Sequence, residues 1–161
     1  MWQNLIDTLD KLGEVYDKLA TLGEKKRSAL VTINMDALAK VLDEEQLLAA
    51  KIQRLEKQRG DLLTKLSKAD KTVNEATKAK DFYRTAPTLA VEKRLIQLHE
   101  RLGRNVDRAL KIRDNNQILA QCALDAVKVQ LNKIGGATVD PTYGNTGGNT
   151  VTHKKNFDYK A

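Results

Sequence analysis

The fold of this chain is decided by residues 95–134, LIQLHERLGRNVDRALKIRDNNQILAQCALDAVKVQLNKI. Apolar residues recur at every third or fourth position of this run, and such spacing places them on one face of a helix. The face comprises Leu95, Leu98, Leu102, Val106, Ala109, Ile112, Asn116, Leu119, Ala123, Val127, Leu131 and Ile134. It predicts a helix over about residues 88–134, on the order of 65 Å long at 1.5 Å per residue.

Two more stretches carry the same spacing and predict two more long helices, over about residues 2–33 and 36–78. The first contains Gly13 and Gly23. Each glycine weakens a helix by up to about 1 kcal/mol relative to alanine, so partner helices must hold this one in place. Three apolar faces of this length cannot stay in water. The sequence therefore predicts an all-α fold, an elongated antiparallel bundle of three long, coiled-coil-like helices formed by residues 1–134.

The connections between the helices carry their own signals. Either Asn34 or Asp36 can cap the second helix, because both side chains accept hydrogen bonds from exposed backbone N–H groups. Around residues 78–88 the helical pattern lapses. Phe82 and Tyr83 are expected to pack near this turn or to lie on a short connecting helix.

Three polar residues interrupt the apolar faces. Glu45 and Arg59 are expected to pack their stems and extend their charged groups to water, or alternatively to act as a specificity device that sets the helix register or exposes part of a groove. Asn116 is either a buried amide that fixes how the helices align or a half-exposed residue where the apolar face drifts.

Composition limits the class of protein. The 161 residues allow one domain, and 30% charged with 4% aromatic residues is typical of long helices. The single cysteine, Cys122, excludes an internal disulfide, and neither a secretory signal nor a membrane-spanning run is visible, so a soluble cytoplasmic protein is expected. Residues 135–161, rich in Gly, Asn and Thr, are expected to form a flexible, disordered tail.

No constellation of residues indicates catalysis, a cofactor or a metal. His99 lacks a second ligand at helical spacing and is interpreted as a helix-surface residue, and His153 has only Asp158 nearby. Cys122, among small and apolar residues, is interpreted as a buried structural thiol. The glycines at 144, 147 and 148 neither follow a strand nor open a helix, so they do not form a phosphate loop. The chain is therefore not expected to be an enzyme.

Several segments resemble the FlgN-type flagellar export chaperones. The helical part of the resemblance is carried by Glu24–Val31, a break near Asp36, Leu55–Arg59 and Asn115–Leu119. The more specific part is Thr142–Gly147, which contains a Tyr-Gly-x-x-Gly segment, and the chain closes with an Asp-x-x-Ala ending at Asp158–Ala161.

The resemblance implies a cytoplasmic chaperone that binds the terminal helices of hook-associated (hook–filament junction) proteins. It would block their premature assembly and deliver them to the type III export gate. The expected cargo-binding residues are Leu119, Leu124, Val127, Leu131 and Ile134, in the second half of the last long helix.

The same resemblance assigns docking on the cytoplasmic domain of the export gate to Tyr143, with Gly144 and Gly147 shaping the backbone on contact. Phe157 and Tyr159 are a second contact or part of the cargo site. No nucleic acid or membrane insertion is expected, and the chaperone should be a monomer or weak dimer.

Two alternatives remain open at this point. A structural coiled-coil adaptor would form an obligate oligomer with another chain. A basic nucleic-acid-binding bundle would use the formal net charge of +7, and its affinity would fall steeply with salt.

Overall fold

The computed structural model of the chain describes residues 1–74, 76–135, 137–139 and 151–153. The helices are α1 (Trp2–Val31), α2 (Met35–Ala69), α3 (Ala79–Tyr83) and α4 (Leu89–Gly135). Two short strands follow, β1 (Ala137–Val139) and β2 (Val151–His153). The prediction of a helical fold is confirmed, and the described residues add the short α3 and the two strands to the long helices.

Helix α1 packs against both α2 and α4. Its last turns lie beside the start of α2, where Lys26 and Glu45 form an ion pair with N···O 2.9 Å, so α1 and α2 run antiparallel. Along α4 the partners of α1 advance in the same direction, from Asp10–Arg101 to Asp17–Arg108, so α1 and α4 run parallel. The chain thus runs up, down and up again.

The buried core lies in the first half of α1 and in the parts of the other helices that surround it. Leu5, Leu9 and Leu12 are fully buried there. The remaining buried members of this cluster are Val15, Leu55, Leu62, Leu66, Phe82, Tyr83, Leu95, Leu98 and Leu102. Phe82 and Tyr83 lie on α3, which confirms that they pack on a short connecting helix. The densely packed end of the bundle is therefore the one that α3 covers.

The second helix ends earlier than predicted. It stops at Ala69 rather than near residue 78. The Asp70 side chain accepts hydrogen bonds from the backbone N–H of Thr72 at 3.0 Å and from its hydroxyl. Asn74 accepts from the backbone N–H of Ala76 in the same way. Such local side-chain bonds offer the backbone an alternative to the helix, and they replace it here.

The first turn of α2 is capped by Asn34, whose Oδ1 accepts from the N–H of Ala37 at 3.1 Å. This settles the choice between Asn34 and Asp36.

The tail was expected to lack regular structure. Within it, the structure pairs β1 with β2 in antiparallel register, with Ala137 opposite His153 and Val139 opposite Val151. The expectation is corrected for these six residues and for Gly135, which is the last residue of α4; the rest of the tail lies outside the described residues.

Candidate functional site

The position of α4 on α1 is fixed by a ladder of polar contacts. Two members are ion pairs, Asp10–Arg101 and Asp17–Arg108, with N···O distances of 2.9 and 3.2 Å. Two others are hydrogen bonds from α4 asparagines to α1 glycine carbonyls, Asn105 Nδ2 to Gly13 O and Asn116 Nδ2 to Gly23 O, both 2.8 Å. All four pairs lie 91 to 93 positions apart, so they define one register.

The two glycines that weaken α1 therefore lie where α4 approaches it. At Gly23 the approach is closest: an added Cβ would stand 2.5 Å from Ile112 Cγ2. Asn116 is 3% exposed, so the reading of this residue as a buried amide that aligns helices is confirmed.

The register carries the end of α4 beyond the end of α1. Since α1 ends at Val31, an offset of 91 to 93 positions matches its last residue with about position 123 of α4. The following dozen residues, roughly 18 Å of helix, extend past α1. The apolar face of α4 continues through this extension although no helix of the described chain covers it there.

We call the resulting patch the distal apolar surface. It consists of the exposed side chains Ile33, Met35, Leu124, Val127, Leu131 and Ile134. A groove of about 500 Å³ opens within it, between the end of α1, the start of α2 and α4. The groove is lined by Ala29, Leu30, Ile33, Met35, Leu38, Ala123, Ala126, Val127, Val129 and Gln130. Contiguous exposed apolar surface of this kind marks sites that bind other proteins.

Four of the five predicted cargo-binding residues lie on this surface. Leu124, Val127, Leu131 and Ile134 are exposed, whereas Leu119 is half-buried. Ile134 is the extreme case at 83% exposure. All four lie on the last turns of α4, and of the four Val127 also lines the groove; their role is taken up below.

The sequence analysis missed the contribution of the α1–α2 turn. Ile33 is 74% exposed and has φ 52°, in the left-handed region that a β-branched residue rarely adopts. Met35 beside it is also exposed. The signal that could have revealed this part of the surface is the pair of large apolar residues that flank the helix cap Asn34. Turns exposed to water are usually polar, so two apolar side chains there indicate a contact surface.

The described residues were compared with the requirements of metal centres and of membrane-spanning helices. They contain no cluster of three or more metal-binding side chains. None of the helices in this part of the chain is both long and apolar enough to span a bilayer.

Two assignments from the sequence are wrong. Cys122 is exposed rather than buried, because it lies on the side of α4 away from the Asn116 and Ala123 face. His99 is half-buried, and its Nδ1 is 3.2 Å from the Tyr83 hydroxyl.

Burial lowers the pKa of His99, and the nearby charges of Arg59 and Lys80 lower it further. The tautomer of the neutral imidazole decides which of the two groups donates, and in either case the hydrogen bond joins α3 to α4 beside the core.

The predicted gate-docking residues Tyr143, Gly144 and Gly147 lie outside the described residues. The same holds for Phe157 and Tyr159.

Proteins that bind an amphipathic helix commonly do so through an apolar groove between helices, and this helical bundle has such a groove. The sequence matches the family described as FlgN protein over residues 1–150. The chain belongs to this family, the flagellar export chaperones for hook-associated proteins. No curated protein and no solved structure shows a significant match to the chain.

Proposed function

We propose that this flagellar export chaperone binds the terminal amphipathic helix of a hook-associated protein on its distal apolar surface, in the cytoplasm. The observation that carries the proposal is the extension of α4 past the end of α1, which leaves large apolar side chains of its last turns exposed. Bound cargo cannot pair with other subunits through the same helix, so premature assembly is blocked until delivery to the export gate.

The spacing on α4 suits a helical ligand. Leu124, Val127, Leu131 and Ile134 follow one another at steps of three, four and three residues, which is the pattern by which one helix grips another. Covering such a side chain contributes roughly 1.5–3 kcal/mol, so a few of them support micromolar binding after the entropic cost of association. Ile33 and Met35 add contacts from the α1–α2 turn.

Delivery is assigned to the tail. Following the family resemblance, Tyr143 docks on the cytoplasmic domain of the export gate, with Gly144 and Gly147 adapting the backbone. An aromatic anchor next to glycines suits a transient contact, since the ring supplies area while ordering of the backbone limits affinity. Cargo and gate then bind different parts of one chain, and the chaperone acts as a monomer or weak dimer.

One calorimetric experiment tests both assignments. The full chain is titrated separately with the terminal helical segment of a hook-associated protein and with the cytoplasmic domain of the export gate. Leu131→Asp should weaken cargo binding at least about tenfold and leave gate binding unchanged, because it places a charge in the apolar contact. Tyr143→Ala should do the reverse, so each variant is the control for the other.

Leu47→Asp provides the matched control for surface charge, because Leu47 is an exposed leucine of α2 that lies outside the distal surface. Equal weakening of cargo binding by Leu131→Asp and Leu47→Asp would contradict the site. Absence of heat from the unaltered chain with the cargo segment would remove the cargo assignment itself.

A further inference from the structure

A trough runs along the bundle between α2 and α4, with α1 as its floor. Within the described residues, no Cα atom of α2 lies within 8 Å of a Cα atom of α4. Besides the distal groove, a second cavity of about 340 Å³ opens in this space. Its lining comprises Tyr16, Leu19, Gly23, Lys26, Glu45, Ala49, Ala109, Leu110, Ile112, Arg113 and Asn116. We call it the middle cavity.

The middle cavity and the distal groove are successive segments of the same trough. Their linings repeat at a spacing of seven residues on all three helices: Gly23 and Leu30 on α1, Glu45 and Leu38 on α2, Asn116 and Ala123 on α4. Positions seven apart lie on the same face of a helix two turns along. A ligand helix in the distal groove is therefore aligned to continue into the middle cavity.

The opposite end of the bundle shows how the space between α2 and α4 is filled. There the chain's own α3 inserts Phe82 and Tyr83, which are buried in one cluster with Leu62 of α2 and Leu98 of α4. Burial raises the pKa of both Tyr83 and Tyr16, and the charge of the nearby Arg59 on α2 offsets part of the rise at both; Tyr16 lines the middle cavity. The part of the trough filled by α3 is therefore next to the open middle cavity. At the filled end, the chain's own short helix occupies the space between α2 and α4.

The middle cavity also contains a specific chemical signal. Asn116 is 3% exposed, and its Nδ2 donates to Gly23 O. Its Oδ1 is buried and has no hydrogen-bond partner in the described part of the chain. A buried amide oxygen without a donor is costly, and natural proteins almost always supply one. Asn116 lines the cavity, so an occupant that brings an N–H or O–H group satisfies this oxygen when a small turn of the side chain exposes it.

We propose that the cargo helix extends along the trough from the distal apolar surface into the middle cavity and places a hydrogen-bond-donating side chain on Asn116 Oδ1. The inference rests on the proposed function and adds a specificity-determining contact to it. The α4 segment from Asn116 to Gln130 is about 21 Å long, which corresponds to about four turns of a bound helix. The ligand class is an amphipathic helix with heptad-spaced apolar residues and one donor, such as Ser, Asn, Gln or Lys, among them.

The test uses the full chain and a synthetic terminal helix of a hook-associated protein, with binding measured by calorimetry. Ala49→Phe fills the middle cavity from the exposed side of α2 without changing a buried residue. Ala50→Phe is the matched control, because Ala50 is also exposed and does not line the cavity. We expect Ala49→Phe to weaken binding at least about tenfold and Ala50→Phe to leave it within about twofold.

The hydrogen bond is tested by a double-mutant cycle between Asn116→Ala and alanine substitutions of each donor side chain in the peptide. The cost of losing the Gly23 contact is common to both halves of the cycle and cancels. One donor should lose its effect in the Asn116→Ala background.

The outcomes separate the two proposals. If the unaltered chain does not bind the peptide, the proposed function fails. If Leu131→Asp abolishes binding while Ala49→Phe behaves like Ala50→Phe, the cargo site stands and the extension into the middle cavity is overturned. Binding that responds to Ala49→Phe, without any donor coupled to Asn116, would keep the path of the helix and remove the contact with Oδ1.

Discussion

Replacing Gly23 with alanine tests whether the close packing of α4 on α1 fixes the register of the bundle. The substitution has two opposing effects. Alanine favours a helix over glycine by about 1 kcal/mol. Against this, the new Cβ would lie 2.5 Å from Ile112 Cγ2 and 3.6 Å from Ile112 Cβ, so either the Ile112 side chain leaves its rotamer or α4 moves away. Overpacking of this kind costs about 1–3 kcal/mol.

Movement of α4 also strains the hydrogen bond from Asn116 Nδ2 to Gly23 O, whose net contribution is on the order of 1 kcal/mol. The sum predicts that Gly23→Ala lowers the free energy of unfolding by about 1–2 kcal/mol. Gly60→Ala is the control, because Gly60 lies in helix α2 with nothing within 4 Å of an added Cβ. That variant should gain up to about 1 kcal/mol from helix propensity alone.

Urea unfolding followed by circular dichroism at 222 nm measures the difference, which should be about 2–3 kcal/mol between the two variants. Ile112→Leu removes the obstructing Cγ2 methyl, so its effect combined with Gly23→Ala should be less than additive. Equal stability of Gly23→Ala and Gly60→Ala would refute the argument that α4 touches α1 at this point.

Two further predictions concern the turn and the core. Ile33→Asn should stabilise the chain by up to about 1 kcal/mol in thermal unfolding, because asparagine tolerates φ 52° and little apolar burial is lost; a loss of stability would contradict this. The pKa of His99 is lowered by burial, so the unfolded chain takes up the proton more readily, and stability should fall as pH drops below about 6.5. His99→Gln should flatten the dependence of Tm on pH between 7 and 5, and an unchanged slope would exclude His99 as its source.

The length and face of α4 could be predicted because every residue of the apolar stripe obeys one local rule, the helical repeat. The end of α2 could not, since Asp70 and Asn74 continue a polar helical pattern as well as they form turns. The end of α2 is decided by hydrogen bonds between these side chains and nearby backbone N–H groups, which compete with the helical hydrogen bonds. The difference in free energy between the two arrangements is too small to be read from residue spacing.

The register between α1 and α4 also lay beyond the sequence. It depends on residue pairs that lie 91 to 93 positions apart, such as Asn105 with Gly13. The sequence around either residue of such a pair gives no information about which distant residue it contacts. The sequence showed that the glycines weaken α1. Only the structure shows that α4 packs closely against them and donates hydrogen bonds to their carbonyl groups. Cys122 was misjudged for the same reason, because burial of a helix residue depends on which face its neighbours cover.

The candidate site follows from a mismatch in helix length that the sequence did contain. The apolar stripe of α4 continues to Ile134 without any change in spacing, as though it were core throughout. A stripe is core only where a partner covers it, and α1, at 30 residues against 47 for α4, is too short to do so. Residues of the apolar face of α4 therefore belong to the core where α1 covers them and are exposed beyond the end of α1. An apolar face that extends beyond the helix covering it within the chain predicts a binding partner from another chain. In this protein the uncovered part of the face is the surface proposed to hold the cargo helix.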